Sequence, residues 1–535
     1  MNITSLKFIL LIGITLIAYY AVPKKFQWVI LLLSSGVFYC YSGIKPAIFV
    51  LFTATTIFIA TNLIDIVSQK QNDYFANNKQ NISKDEKKKI KHKNQITKKT
   101  IMITALLINI GILCTTKYLH FLIDQINNIF SFFGDGLYIN NAFDLIIPLG
   151  ISFYTFQAVG YLLDVYWEKI TPEKNYFKFL LFVSFFPQMT QGPISDYNQL
   201  SKELFSWHTF TYKNYSYGMQ RLLWGFTKKL LVANIAGKYV SNLFTNYESY
   251  TGITTLLGVF FYSIQIYADF SGYMDIMCGY CETLGIHLRE NFDRPYFSKS
   301  IAEYWRRWHM SLGDWFKNYL YYPIGMSNWN RKLSKKVKSK FGNRLANTIP
   351  ATVALIIVWT TTGLWHGANW AYIVWGLVNG LFIILSMWLE PVYIRIKYIF
   401  HINDSKRIYK YFQIIRTFVL VSLIKILPEV GELKDGIKLI CHIFTNHQIP
   451  KDINHLLEFA FLDISKLWLY VCLVLVLVIF YISANKNRFD VREKINKLNP
   501  VVRVVVLSLF IVLAVSLGVS ALYEFGGGGF MYAGF

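Results

Sequence analysis

Cysteine is scarce in this chain: six among 535 residues, at Cys40, Cys114, Cys278, Cys281, Cys441 and Cys472. Only Cys278-Gly-Tyr-Cys281 is closely spaced. One such pair is half of a zinc site at best, and it lies in an apolar run, so both thiols are expected to behave as small buried apolar groups. No internal repeat recurs at a fixed period, which argues against solenoids and propellers. No nucleophile elbow and no serine–histidine–aspartate set is visible, so a serine hydrolase is not indicated. Charge is missing over long distances: residues 349–389 contain no Asp, Glu, Lys or Arg.

What remains is apolar and basic. The chain is 54% hydrophobic and 17% aromatic, with a mean hydropathy of +0.34. Apolar runs of about 18 or more residues recur along its length, the mark of an integral membrane protein. The formal charge is +23. Nucleic-acid binding is not indicated, because no known reading module accompanies the charge and the basic residues sit between the apolar runs. Met1 to Val22 is apolar but offers no small-residue cleavage site before Pro23-Lys24-Lys25. It reads as a retained first span rather than a signal peptide.

Candidate spans are 5–22, 26–43, 46–65, 101–121, 143–165, 217–236, 253–281, 350–368, 370–390, 411–428, 465–483 and 501–522. Basic loops face the cytoplasm. Residues 69–100 carry ten lysines against three acids, and residues 285–349 carry thirteen basic residues. Both should be cytoplasmic, as should 391–416 and 484–503. Residues 122–142 and 429–464 fit the other side. The lysine-rich segment is expected to be a solvated tether, able to touch anionic headgroups. An even number of crossings is needed between 166 and 285, so the short run 176–190, with Pro187, should be re-entrant or lie flat. Backbone at that depth must be shielded by protein or line a wet cavity.

The stretch "EYWRRWHMSLGDWFKNYLYYPIG", Glu303 to Gly325, follows a capping box at Ser300-Ile-Ala-Glu303 and meets a helix stop at Pro323. At about 100° per residue, Trp305, Trp308, Leu312, Trp315, Phe316, Tyr319, Leu320 and Tyr322 share one arc of a single helix. Arg306, Arg307, Asp314, Lys317 and Asn318 take the other. A helix lying in the membrane interface fits that pattern. His309 falls inside the aromatic arc, where an ionisable group is a functional candidate as well as a possible core residue.

A second histidine stands in "TTTGLWHGANWAYIVWG", the middle of the charge-free segment. Gly363 and Gly367 let a backbone or a substrate approach His366. Asn369 could orient the imidazole or bond a ligand, and Thr360, Thr361 and Thr362 form a polar patch. The segment fits either a hairpin at the outer surface or a recessed break. A neutral imidazole in a dry pocket could take a proton from a hydroxyl. In "IYADFSGYMDIMCGY", Asp269 and Asp275 lie within span 253–281 and need partners, for which Arg306 and Arg307 are the obvious choices.

Together, "NFDRPYFSKSIAEYWRRWHMSLGDWFKNYLYYPIG", "LWHGANWAYIVWGL", "YADFSGYMDI" and "FFPQMTQGPI" resemble the membrane-bound O-acyltransferase family, in its bacterial alginate and peptidoglycan O-acetylation branch. The resemblance runs from "LLLSSGVFYCYSG" to an aromatic tail, "FMYAGF", whose last residues depart from the usual pattern. It implies an all-α polytopic membrane protein, a single multi-pass domain over 1–535. About 11–12 transmembrane helices would ring a central tunnel, with re-entrant and interfacial helices. It implies His366 as the active-site histidine and His309 as the second. Trp305, Arg306, Arg307, Trp308, Asn369 and Asp269 are then candidates for contacting substrate. No tightly bound cofactor is implied; acetyl-CoA or an acyl carrier thioester would be the cytoplasmic donor. The implied partners are membrane lipids, an extracytoplasmic SGNH-type esterase-like protein and an acceptor polysaccharide at the bacterial cytoplasmic membrane. D-alanyl transfer to teichoic acid is the alternative within the family. A transporter or flippase is the rival of another class, but it would usually show paired inverted halves, which are not evident here.

Overall fold

The computed structural model describes residues 5–79, 82–134, 138–141, 148–447, 491–509 and 511–512. The candidate span 465–483, half of 501–522 and the "FMYAGF" tail lie outside them. The chain forms two compact units, Met1–Tyr215 with Cys281–Arg289, and Ser216–Tyr280 with Glu290–Phe535. Among the described residues both are built from helices; the one strand-like feature is an isolated bridge between Phe292 and Trp308.

The first unit holds α1 (Leu6–Ala21), α2 (Gln27–Ser42), α3 (Ile44–Asn77), α4 (Lys84–Phe130), α5 (Ile151–Tyr166), α6 (Tyr176–Ser184), α7 (Phe186–Met189) and α8 (Tyr197–Phe205). The lysine-rich segment is not a tether. α3 runs through its first part, and α4 carries the rest as the opening of a 47-residue helix. Ser83 caps α4 by accepting from the Glu86 amide at 3.1 Å, and Asp85 and Glu86 occupy the first turn, where negative charge suits the helix dipole. Lysine and glutamine are good helix formers, so charge alone did not dictate a loop. Lys98 is buried and pairs with Glu168 at 2.8 Å.

The short run 176–190 breaks at Phe185 into α6 and α7. Nine residues of α6 extend about 13.5 Å, well short of a bilayer core of ~30 Å. Phe179 and the stretch from Leu181 to Ser184 are buried, and the rings of Tyr161, Phe179, Phe182 and Tyr197 pack together with centroids 4.7–6.1 Å apart.

The second unit holds α9 (Tyr212–Thr227), a π-helical turn (Lys228–Ala233), α10 (Asn234–Thr245), α11 (Gly252–Thr283), α12 (Ile301–Arg307), α13 (Met310–Phe316), α14 (Tyr322–Gly325), α15 (Asn328–His366), α16 (Trp370–Trp388), α17 (Glu390–Ile399), α18 (Arg407–Lys425) and α19 (Leu433–Thr445). Five helices among the described residues, α3, α4, α11, α15 and α16, are long and apolar enough to cross a membrane. Cys278 and Cys281 are buried in α11.

The intramembrane aspartates find other partners than expected. Asp269 pairs with Lys229 at 2.6 Å, both nearly inaccessible. Asp275 receives Arg221 at 2.9 Å and Lys228 at 2.5 Å, and Arg221 also holds Glu290 at 2.7 Å. The cations come from α9 and the π-helical turn, not from Arg306 and Arg307. Periodicity gives no sign of that turn, because it depends on one widened loop of backbone.

Candidate functional site

The stretch from Glu303 to Gly325 is not one helix. Ser300 caps α12 by accepting from the Glu303 amide at 3.1 Å, and Glu303 accepts in turn from the Lys299 amide at 2.9 Å. The helix then stops at Arg307. Trp308 is extended and His309 is left-handed, with φ 47°. A π-helical turn, Lys317–Tyr321, separates α13 from α14, and Pro323 lies at the start of α14 rather than ending a helix.

The break is clamped from outside. The segment after α11 lies against it: the Asp293 amide donates to Arg307 O at 3.0 Å, the Met310 amide to Asn291 O at 3.0 Å, and the Ser311 amide to Asn291 Oδ1 at 2.9 Å. A non-glycine residue in this conformation costs about 1–2 kcal/mol. These bonds and the packing hold it there.

His309 is 2% exposed. The Phe270 ring lies 4.8 Å away edge to face, and the Trp365 ring 5.9 Å away. Among the described residues neither ring nitrogen meets a hydrogen-bonding partner. Burial pushes its pKa down to about 3, so the ring is neutral near pH 7. A neutral imidazole carries one donor and one acceptor, and leaving both unused in a buried place is costly.

His366 ends α15 and is also buried. It lies 4.8 Å from Trp365, 4.8 Å from Trp375 and 6.1 Å from Tyr372, whose ring is parallel to it within 12°. The approach anticipated at Gly363 is made by protein. A Cβ on Gly363 would fall 2.5 Å from Tyr372 O, and one on Gly376 would fall 2.4 Å from Trp359 O. Bare backbone thus lets α15 and α16 press together around His366. The three threonine hydroxyls do not form a binding patch; each donates to the carbonyl one turn earlier, at Ile356, Ile357 and Val358.

The other candidate residues scatter. Trp305 packs between Trp359 and Trp375, and its indole N–H donates to Asn379 Oδ1 at 3.0 Å. Arg306 is exposed, and Arg307 pairs with Glu303 at 2.7 Å. Asn369 is an exposed N-cap of α16, accepting from the Ala371 amide at 2.9 Å. Asp269 is committed to Lys229. Trp308 covers Lys425: the ammonium lies 3.9 Å from its ring centroid and donates to Tyr296 Oη at 2.9 Å.

Lys425 and Asn379 were missed. Lys425 could have been flagged as a lone lysine inside the apolar "FVLVSLIKILP". The role of Asn379 leaves no sequence signal, since it exists only through packing of α16 on α12. Among the described residues no three His, Cys, Asp or Glu side chains gather as a metal site. The geometry joins His309, Trp365, His366, Trp375 and Trp305 in one continuous aromatic wall with two imidazoles set in it.

Residues 170–427 match the family model of the membrane-bound O-acyltransferase family. The chain is 33% identical over 322 residues to a protein of Pseudomonas aeruginosa named "Probable alginate O-acetylase AlgI", covering 60% of this chain and 56% of that one. It is 31% identical over 310 residues to a peptidoglycan O-acetyltransferase of Helicobacter pylori, covering 53% and 54%. It is 31% identical over 259 residues to a teichoic acid D-alanyltransferase of Streptococcus thermophilus, covering 47% and 60%. In each case the match spans little more than half of the relative's length.

Proposed function

Because this chain is, over residues 170–427, a multi-pass member of the membrane-bound O-acyltransferase family, we propose that it moves an acetyl group from a cytoplasmic thioester, acetyl-CoA or an acyl carrier, toward O-acetylation of a cell-envelope or exported polysaccharide. The observation that carries this reading is the pair of buried histidines, His309 and His366, set against one indole inside the matched segment. An acetyl donor is favoured over D-alanyl because the match to the D-alanylating relative covers less of this chain.

In this reading His366 is the general base. An acceptor hydroxyl attacks the thioester carbonyl; its proton passes to His366, the C–O bond forms, the C–S bond breaks, and the thiolate leaves to be protonated. An imidazole in its neutral form carries a free lone pair for that proton. Such assistance is typically worth ~10²–10⁴-fold, and holding donor and acceptor together adds more. His309 is the inner wall of the donor path, where its unsatisfied donor and acceptor would meet the acyl chain's polar groups. An SGNH-type partner on the far side of the bacterial cytoplasmic membrane would receive or pass on the acyl group.

Purified full-length protein is given acetyl-CoA with a labelled acetyl group, and in parallel a D-alanyl carrier protein. Release of free CoA with label in a glycan acceptor supports the reading. Consumption of the D-alanyl carrier alone moves the chain to the other branch. Turnover of neither donor, in protein that unfolds cooperatively, contradicts acyl transfer.

A further inference from the structure

The helix α15 reverses at Gly342, whose φ of 83° lies in the left-handed region that glycine adopts freely. Asn330 Nδ2 donates to Pro350 O at 3.3 Å, and Ser334 Oγ donates to Ala346 O at 2.8 Å. Both pairs are centred on the same point of the chain, so residues 328–341 form an arm folded back, antiparallel, on the start of the apolar half. At about 100° per residue, Asn330, Leu333, Ser334 and Val337 share the arm's inner face, and Asn330 and Val337 are buried. Arg331, Lys332, Lys335, Lys336, Lys338 and Lys340 take the rest of the circumference, and all six are exposed.

The surroundings fix the level of this arm. The charge-free segment begins at Ile349, next to Pro350, where the foot of the arm is tied. Arg344 donates to Trp388 O at 2.7 Å, and the Trp388 indole N–H donates to Thr352 Oγ1 at 3.0 Å. Trp388 is the last residue of α16, a helix long and apolar enough to cross a membrane. α17 follows at once and exposes Val392, Ile394, Ile396 and Tyr398; a helix with that surface lies at the boundary of acyl chains and headgroups. Ser334 is bonded one helical turn from Pro350, about 6 Å along the axis. Arg331, Lys332, Lys335 and Lys336 thus stand within about 10 Å of the hydrocarbon edge, inside one Debye length.

These features select the ligand. Six exposed cations on one arm call for anionic groups. Trp329, exposed at the foot of the arm, and the apolar side chains of α17 call for an apolar phase beside those groups, as in the aromatic belt of a membrane protein. An anionic phospholipid offers both in one layer. A soluble polyanion would meet the lysines and leave Trp329 and α17 in water.

We propose that the arm of α15 is a binding site for anionic phospholipid headgroups of the leaflet in which Trp329 and α17 lie. This binding does not depend on acyl transfer.

The test uses full-length protein in a polyoxyethylene detergent, titrated with dihexanoyl phosphatidylglycerol or dihexanoyl phosphatidylcholine, with bound lipid counted by native mass spectrometry. A basic residue near an anionic surface strengthens binding ~fivefold. The triple variant Lys332→Gln, Lys335→Gln, Lys336→Gln should therefore weaken phosphatidylglycerol binding ~10-fold or more, and Lys336→Gln alone, which serves if the triple variant does not fold, about fivefold. Lys87→Gln, Lys88→Gln, Lys89→Gln is the control of equal charge. Those lysines precede the apolar course of α4 by ~18 Å of helix, beyond a Debye length, so binding should change less than about twofold. Phosphatidylcholine should bind parent and variants alike and more weakly, and glycerol phosphate, which has no acyl chains, should not displace phosphatidylglycerol at equal concentration. Equal binding of the two lipids, unchanged binding by the folded arm variant, or an equal loss in the α4 control overturns the proposal. Displacement by glycerol phosphate also overturns it, by making the arm a site for soluble phosphates.

Discussion

His309 and His366 meet the same indole: the Trp365 ring centroid lies 5.9 Å from the first and 4.8 Å from the second. Two imidazoles from different elements are thus joined by one aromatic partner. Trp365→Ala should open that wall, with a cavity cost of about 3–5 kcal/mol in a well-packed site. Trp365→Phe should keep most of the stability and change transfer far less than loss of either histidine. Thermal unfolding and transfer rates, measured on both variants, check the order.

The left-handed backbone at His309 separates its ring from its fold. His309→Asn tolerates that conformation and removes the imidazole, so it should unfold within a few degrees of the parent while transfer at low donor concentration falls. His309→Val should be less stable than His309→Asn, since a β-branched residue is strained there. If Asn restores neither stability nor any ordering of the two variants, the break at Trp308–His309 is not what sets the ring.

The depressed pKa of His309 gives a pH dependence with a definite sign. Folded, the ring protonates near 3; unfolded, near 6.5. Between those values the unfolded chain binds the extra proton, so this group's effect is absent above about pH 6.5 and destabilises the fold progressively as pH falls toward 3. At pH 5 the loss is on the order of 2 kcal/mol relative to pH 7.5. His309→Asn lacks this group, so its unfolding temperature should fall less steeply between those two pH values than the parent's. Parallel slopes would contradict a neutral, buried His309.

How much of this was legible beforehand depends on what fixes each feature. The apolar runs, the marginal length of 176–190 and the capping box at Ser300 follow from local composition, and the structure carries all three. The burial of His309 was also legible, although the single helix used to infer it does not exist. The wheel placed His309 among aromatics because flanking Trp305 and Trp308 are themselves buried or packed. The break is not legible in the local sequence, because it is imposed by bonds to Asn291 and Asp293, fourteen to twenty residues away. The helical course of 84–99 is not legible in its charge, because a lysine-rich run fits a solvated loop and a capped helix equally well. The partners of Asp269 and Asp275 were missed because the π-helical turn that delivers Lys228 and Lys229 has no periodic signature.

The buried pair of Asp269 and Lys229 yields a double-variant test. Asp269→Asn leaves an ammonium buried beside a neutral amide and should cost about 3–5 kcal/mol. Pairing it with Lys229→Met should recover a substantial part of that loss, because no buried charge is left uncompensated. The unfolding temperatures of the two singles and the double supply the coupling. If the double is no better than Asp269→Asn alone, the pair is not the source of the cost.

The α15–α16 contact is equally exact in its demands. Gly376→Ala puts a Cβ 2.4 Å from Trp359 O, which backbone cannot yield without moving the helix that ends at His366. Overpacking of this kind costs typically about 1–3 kcal/mol, and transfer should fall with it. Gly13→Ala, with open space around the new Cβ, should change neither; comparing the two by thermal unfolding tests whether the seam is close-packed as described.

The role of His366 as the base for acyl transfer is tested by the single-turnover rate of transfer by His366→Ala in purified full-length protein. Loss of the base should slow transfer ~10²–10⁴-fold, with cooperative unfolding retained and donor binding little changed. Transfer at the parental rate by a folded His366→Ala would contradict it.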